Sequence, residues 1–120
     1  MSRKILVADD NAASRELIME VLEMSGYDVM GAADGQEAVS QARAGQPDLL
    51  LVDIQMPRLD GFGVLRELRA DSRFASLPVV ALTAFAMHGD RERALDAGFN
   101  GYITKPVDIA LLRQEILKYF

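Results

Sequence analysis

The stretch Leu49-Leu50-Leu51-Val52-Asp53 places four apolar residues directly before a carboxylate. Two other short runs, at 5–8 and 79–82, are also built from Ile, Leu, Val and Ala and also lead into a polar residue. A half-exposed strand alternates apolar and polar residues, whereas a strand covered on both faces by helices is apolar throughout. The three runs therefore predict buried strands of a parallel sheet.

Segments with helical spacing separate these runs. The segment after the first run has an apolar stripe formed by Leu17, Ile18, Val21 and Leu22. The third helix is predicted to turn Phe62, Leu65 and Leu68 inward, and the last helix Ile109, Leu112, Ile116 and Leu117. The more mixed runs at 28–32 and 101–103 are typical of edge strands. Five strands and five helices in strict alternation predict a three-layer, doubly wound α/β fold with a five-stranded parallel sheet.

The composition limits the kind of protein this is. A chain of 120 residues with 50% hydrophobic content suits one domain, which we place at 1–120. Its 13 Lys and Arg residues against 18 Asp and Glu residues give a net charge of −5, which argues against nucleic-acid binding. There is no cysteine, and the uncharged apolar stretches are too short to span a membrane. We therefore expect a soluble, cytoplasmic protein.

Polar residues follow the predicted strands at the edge where parallel sheets bind ligands. The residues at these strand ends are Asp9, Asp10, Asp53, Thr83 and Lys105. Two like charges about 4 Å apart repel by about 4 kcal/mol at an effective dielectric of about 20, and Lys105 cancels only one of three. The remaining negative charge on oxygen ligands suits Mg²⁺, which also takes phosphate oxygens as ligands. Zinc fits less well, because the chain has one histidine and no cysteine.

The motifs at these strand ends resemble the response-regulator receiver domains of two-component signalling. The resemblance covers the whole chain and rests on the segments Ile5–Asn11, Leu50–Pro57 followed by Asp60-Gly61, Leu82–Ala84 and Tyr102–Pro106. It implies a flavodoxin-like sheet with the strand order 2-1-3-4-5.

The resemblance also implies a phosphoryl acceptor and a metal site. Asp53 would accept a phosphoryl group from a histidine kinase or a histidine phosphotransfer protein. Mg²⁺ would bind Asp10, Asp53 and the backbone carbonyl of Gln55, with Asp9 in support through water. Phosphoryl transfer depends mainly on positioning and charge stabilisation, so little other machinery is required.

Further roles concern the phosphoryl group itself. The Thr83 hydroxyl, the Ala84 amide and the Lys105 ammonium are expected to contact it, and Lys105-Pro106 resembles the family's cis peptide. In the family, the residue at the position of Thr83 moves toward the phosphoryl group and the aromatic at the position of Tyr102 turns inward. Tyr102 would then change the surface that a downstream protein target reads, although plain packing is an alternative for this side chain.

Two variable positions of the family tune the lifetime of the aspartyl phosphate, and here they are Gln55 and Phe85. Our hypothesis is that Phe85 partly covers the phosphoryl group and slows its hydrolysis. Only Tyr119-Phe120 follow the last predicted helix. We therefore expect a stand-alone domain that acts as a switch by protein–protein interaction rather than as a turnover enzyme.

Other interpretations of the same residues stay open at this point. Asp9 and Asp10 could serve only as an N-cap and a solvated neighbour. A phosphohydrolase of the haloacid-dehalogenase type also uses a strand-end Asp with Mg²⁺, but it normally has a second acid where Gln55 stands. A degenerate receiver that acts as an unphosphorylated adaptor is a third interpretation. A flavin carrier fits poorly, since the acidic loop after the first strand would repel its phosphate.

Overall fold

Strands and helices alternate along the chain in the computed structural model, which describes residues 3–84 and 89–120. The strands are β1 (Lys4–Ala8), β2 (Asp28–Ala32), β3 (Leu49–Asp53), β4 (Val79–Thr83) and β5 (Gly101–Thr104). The helices are α1 (Ala12–Met24), α2 (Gly35–Gly45), α3 (Gly61–Arg69), α4 (Asp90–Ala97) and α5 (Ile109–Leu117), with a short 3₁₀ helix at Ser72–Phe74. None of the described helices is long and apolar enough to cross a membrane.

The five strands form one parallel sheet in the order β2-β1-β3-β4-β5, which confirms the predicted fold class. Helices α1 and α5 pack on one face and α2, α3 and α4 on the other. Successive residues of β3 supply both cores, because Leu50 and Val52 face α2 and α3 while Leu49 and Leu51 face α1 and α5. Burial on both faces explains why the central runs are apolar throughout.

Residues typical of helix caps stand at several helix ends. Asp34 caps α2, accepting a hydrogen bond of 2.8 Å from the amide of Glu37, and Asp60 caps α3 in the same way. Helix α4 ends at Gly98, whose φ of 113° lies in the left-handed region that glycine tolerates best. The cap of α1 is Asn11 rather than Asp9 or Asp10, so the simple capping interpretation of those two acids is wrong.

Three of the apolar helix residues predicted to face inward are exposed instead. Leu17 is 47% exposed, Ile109 42% and Leu117 66%, whereas Phe62 is half-buried against the core. A helix that lies on a sheet buries a stripe of residues at i, i+3 and i+4. In α1 the buried residues are Ile18, Val21 and Leu22, and in the nine-residue α5 they are Leu112 and Ile116.

Two leucines on α1 offer a direct test of this orientation. Leu22→Ala is expected to lower the free energy of unfolding by about 2–5 kcal/mol, because Leu22 is fully buried and its removal leaves a cavity. Leu17→Ala, at an exposed position, is expected to change it by less than about 0.5 kcal/mol. Urea unfolding of the two variants measures both values, and equal losses would contradict the orientation described for α1.

Candidate functional site

The sheet register brings the predicted acids together. Ala8 of β1 pairs with Val52 of β3, so Asp9 and Asp53, each one residue further along neighbouring strands, lie side by side. Asp10 follows at the mouth of the same edge. Carboxylate oxygens of Asp9, Asp10 and Asp53 all lie within 4.8 Å of one another. We call these three residues the acid cluster.

The members of the acid cluster differ in burial and in partners. Asp9 is fully buried and Asp53 is 6% exposed, whereas Asp10 is exposed. Asp9 Oδ1 accepts a hydrogen bond of 3.0 Å from the amide of Asn11, and Asp53 Oδ1 accepts one of 2.9 Å from the amide of Gln55. Each buried carboxylate is thus held by an amide two residues later in its own loop.

A single ammonium compensates the two buried acids. Lys105 Nζ donates a hydrogen bond of 2.6 Å to Asp53 Oδ2 and lies 2.7 Å from Asp9 Oδ2. Lys105 follows β5, and its amide donates to the carbonyl of Thr83 at 2.7 Å. The Lys105–Pro106 peptide bond is cis. The ammonium is therefore anchored through the end of β4 and points back to the acids at β1 and β3.

Burial and charge shift the pKa of each group in this triad. Burial raises the pKa of Asp53 above its usual value, and the hydrogen bond from Lys105 offsets only part of this effect. Burial acts on Asp9 in the same direction, but Lys105 and the Asn11 amide outweigh it and lower the pKa of Asp9. The pKa of Lys105 is raised, because its two carboxylate partners outweigh its burial.

The residues at this edge fit a divalent cation. Asp9 Oδ2 is buried and, within the described part of the chain, receives no hydrogen bond of good geometry, since its contact with Lys105 is an ion pair only. In the described ranges 3–84 and 89–120, three carboxylates face one ammonium, which leaves the cluster negatively charged. Oxygen ligands in this number and charge are those that Mg²⁺ takes from proteins, together with water and phosphate.

The other predicted site residues differ in where they lie relative to the acid cluster. An open cavity of about 410 Å³ at the cluster is lined by Asp10, Asn11, Asp53, Gln55, Ala84 and Lys105. Thr83 is buried at the end of β4 and lines a neighbouring cavity with Asp10 and Gln55. Tyr102 is half-buried on β5 opposite Ala81 and packs against the core on the sheet face that α2, α3 and α4 cover. Phe85 lies outside the described residues.

Sequence reasoning missed the part played by Asn11. This residue caps α1 through its side chain, which accepts from the amide of Ser14 at 2.9 Å, and its own amide holds Asp9. Its position directly after two acids and before an amphipathic segment was the available signal. Asn11 therefore links the start of α1 to the acid cluster.

Comparisons with known proteins agree with this geometry. Residues 5–117 match the family described as response regulator receiver domain. The polar-differentiation response regulator DivK of Brucella ovis is 37% identical over 119 residues, which cover 99% of this chain and 97% of DivK. Chemotaxis response regulator CheY4 of Vibrio cholerae superposes with a TM-score of 0.93 at 27% identity, with all of both chains covered.

A further relative bears on the metal site. The receiver domain of a sensor histidine kinase from Pseudomonas aeruginosa has a TM-score of 0.90 and 38% identity, covering 99% of this chain and 98% of that one. Its structure contains a magnesium ion coordinated in the active-site cleft. The family match spans nearly the whole chain and the strand order is that of the receiver fold. The chain belongs to the response regulator receiver domain family of two-component signalling and is a phosphorylation-dependent signalling switch.

Proposed function

We propose that Asp53 accepts the phosphoryl group, from a histidine kinase or a histidine phosphotransfer protein. The observation that carries this proposal is the contact of 2.6 Å between a nearly buried Asp53 carboxylate and the Lys105 ammonium. In the reaction an Asp53 oxygen forms a bond to phosphorus while the bond from phosphorus to the donor's imidazole nitrogen breaks. The products are an aspartyl phosphate and a free imidazole.

The acid cluster would hold Mg²⁺ for this reaction. Asp10, Asp53 and the backbone carbonyl of Gln55 would bind the ion directly, and Asp9 would support it through water. When bound, the ion supplies positive charge that neutralises the oxygens of the transferred group. The magnesium ion in the cleft of the Pseudomonas receiver domain supports this assignment.

Residues of the chain itself would stabilise the product. Lys105 already lies at Asp53 and would pair with a phosphoryl oxygen, while the hydroxyl of Thr83 and the amide of Ala84 would donate hydrogen bonds. Movement of Thr83 would then favour an inward position of Tyr102 and alter the surface for a downstream protein partner. Gln55 and Phe85 would set the lifetime of the phosphoryl group. The protein would act as a phosphoryl acceptor rather than as a turnover enzyme.

The direct test is incubation of the protein with Mg²⁺ and acetyl phosphate, followed by intact mass measurement and peptide mapping. A persistent gain of one phosphoryl group on Asp53, released by hydroxylamine, is the expected result. Continuous turnover of phosphate esters would instead indicate a phosphohydrolase of the haloacid-dehalogenase type. A lack of any reaction would indicate an adaptor that works without phosphorylation.

Mg²⁺ is expected to stabilise the folded chain. A ligand that binds only the native state raises the free energy of unfolding by about 2.7 kcal/mol at 100 times its dissociation constant. Thermal unfolding measured across an Mg²⁺ titration should show a rising midpoint, and EDTA should reverse the rise. The matched control is Asp10→Asn, in which the rise should be much smaller at equal Mg²⁺ concentration. An equal rise in both proteins would place the ion elsewhere.

A further inference from the structure

Helix α2 supplies no member of the acid cluster, yet its first residue touches the segment that leaves Asp53. We define residues 54–60, between β3 and α3, as the acceptor loop. A Cβ atom built on Gly35 would lie 1.8 Å from the carbonyl oxygen of Leu59 and 2.6 Å from its carbonyl carbon. These are backbone atoms, which cannot rotate away as a side chain can. Only glycine allows α2 to begin this close to the loop.

Other contacts hold the same end of the acceptor loop. A Cβ atom on Gly63, in the first turn of α3, would lie 2.4 Å from Leu59 Cδ1. Arg58 Nε lies 3.6 Å from Asp34 Oδ2, the cap of α2, and Arg58 has a φ of 70°, in the left-handed region. Leu59 is therefore seated between the first turns of two helices.

The start of the acceptor loop belongs to the site. The Gln55 amide donates to Asp53 Oδ1 at 2.9 Å, and the Gly61 amide donates to the Ile54 carbonyl at 2.9 Å, which joins the two ends of the loop. Between them Met56 is buried in the core. Because the Gly61–Ile54 hydrogen bond joins the two ends of the loop, a displacement at Leu59 would reach the residues beside Asp53 through this bond.

The loop, rather than the helix, is the part that would yield to an added methyl group. Helix α2 is seated on the sheet by Ala38, Val39 and Ala42, whose exposure is at most 3%. Close-packed small side chains leave little room for the helix to retreat. The acceptor loop, by contrast, has exposed residues at Pro57 and Arg58.

We propose that Gly35 is a positioning residue for the metal site, because its contact with the Leu59 backbone sets the place of Gln55 beside Asp53. The inference rests on the proposed Mg²⁺ site. Gly35 acts through the acceptor loop and touches neither the ion nor the phosphoryl group. Residues that orient metal ligands without binding the metal typically change affinity by about 10- to 100-fold when they are altered.

The experiment compares Gly35→Ala with Gly45→Ala, at the two ends of the same helix. Both variants replace a glycine at an end of α2 by alanine. A Cβ on Gly45 meets only the flexible end of Met30, with its sulfur at 2.6 Å, so this control leaves the acceptor loop in place. Mg²⁺ titrations followed by the NMR signals of the Gln55 and Gly61 amides are expected to show binding weakened about tenfold or more in Gly35→Ala. Binding in Gly45→Ala should stay within about twofold of wild type.

The outcomes separate this inference from the proposed function. Failure of wild type to bind Mg²⁺ at these amides would overturn both the proposed metal site and the role of Gly35. Binding by wild type and by a folded Gly35→Ala with equal affinity would overturn the role of Gly35 alone. If Gly35→Ala does not fold, Leu59→Ala is the second test of the proposal. It removes the side chain that lies between the first turns of α2 and α3 without adding an atom. It should weaken binding by about threefold or more, and unchanged binding would refute the proposal.

Discussion

An Asp53→Asn variant is expected to gain no phosphoryl group from acetyl phosphate and to remain at least as stable as wild type. The amide lacks the anionic oxygen that attacks phosphorus, so the loss should be complete. Its carbonyl oxygen can still accept the hydrogen bond of 2.9 Å from the Gln55 amide. Lys105 keeps its contact of 2.7 Å with Asp9.

The stability of Asp53→Asn follows from the electrostatics of the acid cluster. The pKa of Asp53 is raised, mainly by burial, so the folded protein disfavours the ionised carboxylate. A neutral side chain removes this burial cost and the repulsion from Asp9. In EDTA the free energy of unfolding should therefore be unchanged or higher by up to about 1 kcal/mol.

Intact mass and urea unfolding measure the two parts of this prediction. Asp96→Asn, at an exposed position on α4, is the control and should be phosphorylated at the wild-type rate. A phosphoryl group still found on Asp53→Asn would show that another residue is the acceptor. A large loss of stability would show that the Asp53 charge is needed for folding.

A Lys105→Met variant is expected to lose both reactivity and stability. Removing one preorganised charge that stabilises a transition state typically lowers a rate by about 100- to 1000-fold. Lys105, with a side chain 15% exposed, is also the cation that contacts both buried acids. Breaking a buried ion pair by removal of one partner costs about 3–5 kcal/mol.

Initial rates of phosphorylation and urea unfolding in EDTA measure these losses. Lys118→Met is the matched control, because Lys118 also contacts a carboxylate, Glu115 Oε1 at 3.0 Å, but its side chain is 66% exposed. Such surface pairs contribute about 0–1 kcal/mol. Near-wild-type stability of Lys105→Met would mean that water or a cation replaces the ammonium at the acids.

The two variants together test whether the Lys105 ammonium offsets only part of the negative charge of Asp9 and Asp53. Replacing Asp53, whose pKa is raised, should keep or raise stability, whereas removing Lys105 should lower it. Equal losses of unfolding free energy in the two variants would indicate that packing, rather than charge, is the cause of both. Each variant thus serves as a control for the other.

Local patterns in the sequence predicted much of this protein. The apolar runs before Asp9, Asp53 and Thr83 correctly predicted the central strands, because a strand buried on both faces is apolar at every residue. The caps at Asp34 and Asp60 also depend on local sequence, since a cap involves residues only three positions apart. The edge where the acids meet follows from these strands, because the carboxyl ends of parallel strands lie at one edge of the sheet.

The side on which each helix residue lies was less predictable. Leu17 belongs to the same apolar stripe as Ile18, yet it is exposed. Leu117 is exposed although Ile116 beside it is buried. Helical spacing indicates that an apolar face exists, but the angle at which the helix meets the sheet decides which residues at its margin are covered.

The sequence by itself determined the strands, the order of helices along the chain and the acids that end β1 and β3, since all of these depend on near neighbours. Only the tertiary structure decided how the acids share a cation and where α2 meets the acceptor loop. Lys105 and Asp53 are 52 residues apart, and their contact requires strand order, register and the path after β5 together. The contact of Gly35 with Leu59 depends likewise on two elements packing side by side, which no local pattern records.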